Sequence, residues 1–198
     1  RVPVKVRASP IYDAEGKVTG AVETFSNESE GLSIRKELLE LRHTAQTDAL
    51  TGVGNRHFIE GRLHAVISEE EVRKNLDVGV MFFDIDHFKL VNDNYGHEVG
   101  DKVLKMVAAT VAENFRKSDI IGRWGGEEFL AILYDVSSLK SLAFIAEKIR
   151  LLVECSHLDF HEISVQATIS IGATLLQPLD TAESILRRVD SLMYESKH

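Results

Sequence analysis

The chain predicts an α/β fold: a central mixed β-sheet flanked by helices, with an N-terminal β-hairpin remnant and a linker helix. Three observations carry this. Over residues 48–198, stretches with helical spacing of apolar residues alternate with apolar, β-branched runs of strand length, the order that packs helices against a sheet. Val78-Gly79-Val80-Met81-Phe82-Phe83 contains no polar side chain, which suits a central strand covered on both faces. Gly125-Gly126 stands between two strand-like runs, Ile120–Trp124 and Glu128–Tyr134, and residues without a Cβ let a hairpin turn tightly.

The elements follow in order. Residues 1–27 read as two short strands: Val2, Val4 and Val6 alternate with polar neighbours, Asp13 to Lys17 forms a turn, and Val18 to Phe25 alternates again. Two strands are too few for an independent domain, so this hairpin is expected to close a larger one. Residues 28–47 read as a charged helix whose Ile34, Leu38, Leu41 and Ala45 fall four, three and four apart, the spacing of a coiled-coil seam. So short a stretch also reads as an amphipathic helix packed on its own domain. Asp48 to Arg56 breaks that helix with Gly52, Gly54 and Asn55, and a new helix starts near Arg56 and runs into Glu69-Glu70-Glu71. After the apolar strand come a short helix from about Phe88 and a longer one through Val99, Val103, Val107 and Val111. Ser137 is placed to cap the next helix, whose Leu142, Ile145, Ile149 and Val153 share one face. Val165–Leu175 is rich in β-branched residues and reads as one strand. A last helix from about Thr181 turns Ile185, Val189 and Leu192 inward.

Composition narrows the classes. With 198 residues, 44% of them hydrophobic, the chain has enough material for one full domain and a smaller piece. A net charge of −8 without a dense basic stripe argues against a nucleic-acid polymer as partner, and an anionic substrate would need metal ions to mediate contact. The single Cys155 excludes an internal disulfide and fits a reducing cytoplasm; near the end of an apolar helical run, it reads as a buried packing thiol. No apolar run reaches the length of a membrane span and no signal-peptide pattern opens the chain. The expectation is a cytoplasmic stretch without direct membrane contact, any anchor of a longer parent lying outside it.

The chemistry gathers at strand ends. Arg123-Trp124-Gly125-Gly126-Glu127-Glu128-Phe129 runs a glycine pair into two carboxylates. That turn reads either as an ordinary hairpin with a solvated acidic tip or as a place where a hard cation binds. Asp84-Ile85-Asp86 ends the apolar strand; side chains two apart on a strand share a face, and Asp84 and Glu127 could meet around one cation. Two magnesium or manganese ions held this way activate an attacking hydroxyl and stabilise a leaving phosphate. Lys89 follows closely, where an ammonium would bind phosphate, and Asn92 with Asp101 offers the donor and acceptors that read a guanine edge. Each also has an ordinary reading as a surface Lys, a turn Asn or a helix N-terminal Asp, so the residues alone carry the functional reading no further than a metal-dependent nucleotide site.

Asp84 to Asp101 resembles the "DIDxFKxINDxxGHxxGD" block of the GGDEF-domain diguanylate cyclases, and Arg123 to Phe129 resembles their signature loop in its GGEEF form. Asp48 to Arg56 is similar to their "DxLTGLxNR" entry motif, with Val53-Gly54 a departure, and Ser170-Ile171-Gly172 and Asp190–Lys197 match two further blocks. The run from Ser9 to Val22 resembles the closing hairpin of a PAS sensor domain. The division implied is 1–27 as the end of a PAS-like sensor, 28–47 as a signalling helix and 48–198 as a catalytic domain of nucleotidyl cyclase, palm-like architecture. The resemblance implies condensation of two GTP into cyclic di-GMP with release of two pyrophosphates. Asp84, Glu127, Glu128 and the Ile85 carbonyl would hold magnesium or manganese, two ions per active site, and Asp84, Glu127 and Glu128 would be catalytic, Glu128 assisting the second metal or deprotonating the 3′-hydroxyl. Asn92 and Asp101 would recognise guanine; Lys89, Lys197 and the stretch at His87 and Phe88 would hold phosphates. His97, Gly125 and Gly126 would complete the substrate site. Each domain would bind one GTP, so catalysis would need a homodimer, where holding the reactants together is worth about 7–11 kcal/mol. Arg116 and Asp119 are similar to the family's RxxD inhibitory product site, with Lys148 and Arg150 as open candidates for a second cation. The opposing expectation is a non-catalytic receptor for cyclic di-GMP or GTP, which would need no metal ligands.

Overall fold

A computed structural model of the chain describes residues 4–27, Ile34, Glu37, Leu41, and residues 44–69, 77–160 and 163–197. The chain divides into two compact units, residues 1–45 and 46–198. In the first, β1 (Val4–Tyr12) pairs antiparallel with β2 (Val18–Asn27). The connecting turn is tied by Asp13, whose Oδ1 accepts the amides of Glu15 and Lys17 at 3.0 and 2.8 Å, and Gly16 takes the left-handed backbone, φ 80°, that a side chain would strain. Ile34, Glu37, Leu41 and residues 44–46 have helical backbone; Val2 and Leu38 of the expected pattern lie outside the described residues.

The second unit carries α1 (Arg56–Ser68), β3 (Val78–Ile85), α2 (Phe88–Tyr95), α3 (His97–Asn114), β4 (Ile120–Gly125), β5 (Glu128–Tyr134), α4 (Leu139–Cys155), β6 (His157–Phe160), β7 (Ile163–Gln166), β8 (Ile169–Leu175) and α5 (Ala182–Ser196). Four strands form one sheet in the order β4-β5-β3-β8. The α/β class stands, while the expected mixed pairing gives way to antiparallel pairing between all four strands. The reason is topological. Each helical crossover, β3 to β4 and β5 to β8, returns to a strand running parallel to the one it left, but skips the strand between them. The two crossovers interleave as a split β-α-β-β-α-β arrangement, so parallel strands never become neighbours.

All eight residues of β3 are buried, as the apolar run Val78–Phe83 requires; Asp84 is the one charged residue among them. Alternation sends Phe83 and Ile85 into one core with Val103, Val107 and Val111 of α3 and Ile149 and Val153 of α4. Val78, Val80 and Phe82 face a second core with Ile59 and Leu63 of α1 and Ile185, Val189 and Met193 of α5. Each large side chain buried here contributes roughly 1.5–3 kcal/mol, and Phe83 stacks on Phe129 with ring centroids 5.3 Å apart.

Several local expectations shift. Ser138, not Ser137, caps α4: its backbone is extended and its hydroxyl accepts the Ser141 amide at 3.1 Å. Cys155 is exposed rather than buried; it follows buried Val153 by two residues, about 200° around the helix. In α5 the inward positions run Ile185, Val189, Met193, and Leu192 stays 37% exposed. The stretch expected as one strand breaks at Ala167 and Thr168, so that β7 pairs with the short strand β6 and β8 enters the main sheet. No described helix is long and apolar enough to cross a membrane.

Candidate active site

The hairpin β4–β5 and the end of β3 build one acidic corner. Asp84 and Glu128 are direct cross-strand partners, so their side chains emerge on the same face, the face covered by α1 and α5. The Ile85 amide donates to the Glu127 carbonyl at 3.3 Å, which clips the hairpin tip to the strand end. Gly126 turns that tip with φ 42°, and its carbonyl accepts two bonds from the Arg123 guanidinium, at 2.9 and 2.7 Å. Arg123 also meets Asp48 at 3.3 Å. Burial alone would raise the Asp48 carboxyl, but hydrogen bonds from Thr51 and the charge of Arg123 hold it below its ordinary value.

Asp84 is only 8% exposed, and Lys197, the residue capping α5, donates to its Oδ1 at 2.7 Å. Burial first, and then the negative charges of Asp84, Asp190 and Glu127, push the Glu128 carboxyl above its ordinary value, with Lys197 opposing them. Among the described residues no three His, Cys, Asp or Glu side chains form a ready-made metal cage. The donor set nevertheless suits a hard cation. Crowded carboxylates hold one of their number toward its protonated form, a strain that an added positive charge relieves.

Asp86 does not join this corner. The strand ends at Ile85, alternation stops there, and the Asp86 carboxylate accepts the hydroxyls of Thr168 and Ser170, both at 2.7 Å. Its work is to fasten the end of β3 to β8.

The remaining expected residues stand on α2 and α3. His87 takes a left-handed backbone, φ 54°, at the entry to α2, Phe88 is buried beneath it, and Lys89 is exposed. Asn92 is half-buried against α3 at Gly100, where a Cβ would run into its Oδ1. His97 and Asp101 are exposed on α3, without a described contact to the acidic corner. Asp190 is the acid that sequence reasoning passed over as an individual; its seven-residue spacing from Lys197 puts both on one face of α5.

Arg116 and Asp119 lie elsewhere, where α3 leads into β4. Asp119 accepts the Arg116 amide at 2.9 Å and the Tyr134 amide at 3.2 Å, so both its oxygens hold backbone. A cavity of about 300 Å³ opens there, lined by Arg116, Asp119 and Lys148 among others. Arg150 lines a different cavity and is gripped by Glu147 and Glu154, at 2.8 and 2.7 Å.

The interleaved crossovers set carboxylates at the strand ends of an antiparallel sheet, and comparison with known proteins identifies the family that shares this domain. The family model described as "Diguanylate cyclase, GGDEF domain" matches residues 45–198, and the chain belongs to that family. Among curated relatives, it is 31% identical over 186 residues to the diguanylate cyclase DgcP of Pseudomonas aeruginosa, covering 93% of this chain and 27% of that protein. It is 35% identical over 168 residues to the response regulator PleD of Caulobacter vibrioides, covering 83% of this chain and 36% of that one. The chain thus spans about a third or less of these relatives. Among solved structures, the coiled coil and GGDEF domain of DgcB from Caulobacter crescentus, in complex with c-di-GMP, superposes with a TM-score of 0.77 at 28% identity. That match covers 85% of this chain and 89% of that one.

Proposed function

We propose that this chain is the output domain of a diguanylate cyclase, joining two GTP into cyclic di-GMP in the cytoplasm. The observation that carries it is the corner where Asp84, Glu127 and Glu128 crowd around a site edged by Lys197, in a chain of the GGDEF family. Asp84, Glu127 and the Ile85 carbonyl would hold magnesium or manganese. Two such ions would lower the pKa of the attacking hydroxyl and neutralise charge on the departing pyrophosphate. Glu128, its carboxyl already inclined to hold a proton, takes the proton of the 3′-hydroxyl. The hydroxyl oxygen bonds the α-phosphorus of the facing GTP, the bond to the β-phosphate breaks, and pyrophosphate leaves. Lys197 and Lys89 neutralise phosphates, and the His87–Phe88 turn and His97 border them; Gly125 and Gly126 leave room for the nucleotide. Asn92 and Asp101 read guanine. The facing GTP comes from a second copy of the domain.

Regulation is proposed at two further places. Arg116, with Lys148 across the cavity, holds cyclic di-GMP as an inhibitory product, while Asp119 braces the turn that carries Arg116. Residues 1–27 end a PAS-like sensor and residues 28–47 transmit its state, which accords with a helix whose Ile34 and Leu41 are 60% and 62% exposed, as an unpaired seam would be.

Chromatography of the reaction with GTP and magnesium is the deciding experiment. Cyclic di-GMP is expected, and Glu128→Ala is expected to lose at least a hundredfold of the rate, the scale of a general base. No product at high protein concentration, from a longer chain with the sensor included, would sink the proposal.

A further inference from the structure

Phe144 is unused by any of these roles. It projects from α4 with 72% of its surface exposed, because Leu142, Ile149 and Val153 take the buried face of that helix. It also lines the cavity of Arg116, Asp119 and Lys148. Lys148 is one turn further along, so ring and ammonium are neighbours on one face. Among the described residues Phe144 makes no ring contact of its own.

The cavity's charges are mixed. Arg116 and Lys148 supply cations, and Asp119 accepts one backbone amide on each of its oxygens. Asp135, also on the lining, makes no described hydrogen bond. A phosphate needs the cations, and the N1–H and N2 amino donors of guanine need a carboxylate. A flat base needs an aromatic face to lie on, and such stacking works for any base because each has a π-face.

We propose that Phe144 is the stacking shelf for a guanine base bound in this cavity, with the attached phosphate held by Arg116 and Lys148 and the base edge read by Asp135. This rests on the product-site reading above and adds the group that holds the base. The phosphate-bearing guanine could come from cyclic di-GMP or from GTP, and the test separates them.

Calorimetric titration of cyclic di-GMP into the wild type, Phe144→Ala and Arg116→Ala is the first measurement, with circular dichroism confirming that each variant is folded. Phe144→Ala is expected to weaken binding roughly tenfold, within the range of one lost base stack. If Arg116→Ala binds as the wild type does, the product-site reading falls and the shelf with it. If Arg116→Ala loses binding while Phe144→Ala keeps full affinity, the shelf alone is overturned. Phe144→Trp supplies the second measurement, since the wild type has a single tryptophan, Trp124. Beyond any wild-type change, the emission of the introduced indole is expected to be quenched by cyclic di-GMP, and whether GTP quenches at lower or higher concentration identifies the occupant. Absence of quenching by both nucleotides would overturn the shelf.

Discussion

At Glu128 the molecule tolerates a carboxyl that burial and three neighbouring acids make harder to ionise, an arrangement expected where function outweighs stability. Its pKa in the folded state lies above the ordinary 4.5, so folding favours the protonated form. The stability this carboxyl permits is intact below pH 4.5 and is lost as pH rises through the raised value. In metal-free buffer at pH 7, Glu128→Gln is therefore expected to melt higher than the wild type, by a few degrees in order of magnitude. The gap should close as pH falls toward 4.5, and magnesium should raise the wild-type melting temperature more than the variant's. A gap of the same size at both pH values would remove the electrostatic explanation. Asp84, Glu127 and Glu128 were legible in the sequence because each abuts an apolar strand. Asp86 was not, because alternation predicts a side chain's face only while the strand lasts, and β3 ends one residue earlier.

Between elements, β8 and α5 approach backbone to backbone. At Gly172 a Cβ would run into the Val189 carbonyl oxygen and the Met193 amide nitrogen, backbone atoms that have no rotamer to escape by. Gly172→Ala is expected to destabilise by about 1–3 kcal/mol or more. Gly61, inside α1, has open space at its Cβ position, and Gly61→Ala is expected to stabilise by about 0.8–1 kcal/mol through helix propensity alone. Urea unfolding of the two variants checks both, and equal stability of Gly172→Ala and wild type would mean that the helix shifts freely on the strand. The long helices were readable from their period, since a buried stripe imposes 3.6-residue spacing whatever lies opposite. The misplaced details have local causes. Adjacent serines cap equally well until backbone geometry selects one, and a break between β7 and β8 depends on Thr168, whose carbonyl accepts the Asp86 amide at 2.9 Å from 82 residues away in sequence.

Across the whole second unit, strand order is what assembles the acidic corner, and order is the property least written in any one segment. Each strand was recognisable, yet the sheet was expected to be mixed, because helical crossovers ordinarily join adjacent parallel strands. Only the two interleaved crossovers make it antiparallel, and they bring Lys197 to Asp84 across 113 residues of sequence. That corner offers one set of carboxylates, whereas the proposed condensation consumes two GTP, each attacking the other. On that proposal two copies face one another, and the rate at low protein concentration is expected to follow the amount of dimer. With GTP and magnesium saturating, cyclic di-GMP formation is expected to rise as roughly the square of protein concentration well below the dimer dissociation constant, because two domains must meet before any reactants are oriented. Specific activity should level off where sedimentation shows dimers predominating. A specific activity that stays constant through a range in which sedimentation finds only monomer would mean that a single corner completes the reaction, and the two-copy site would have to be abandoned.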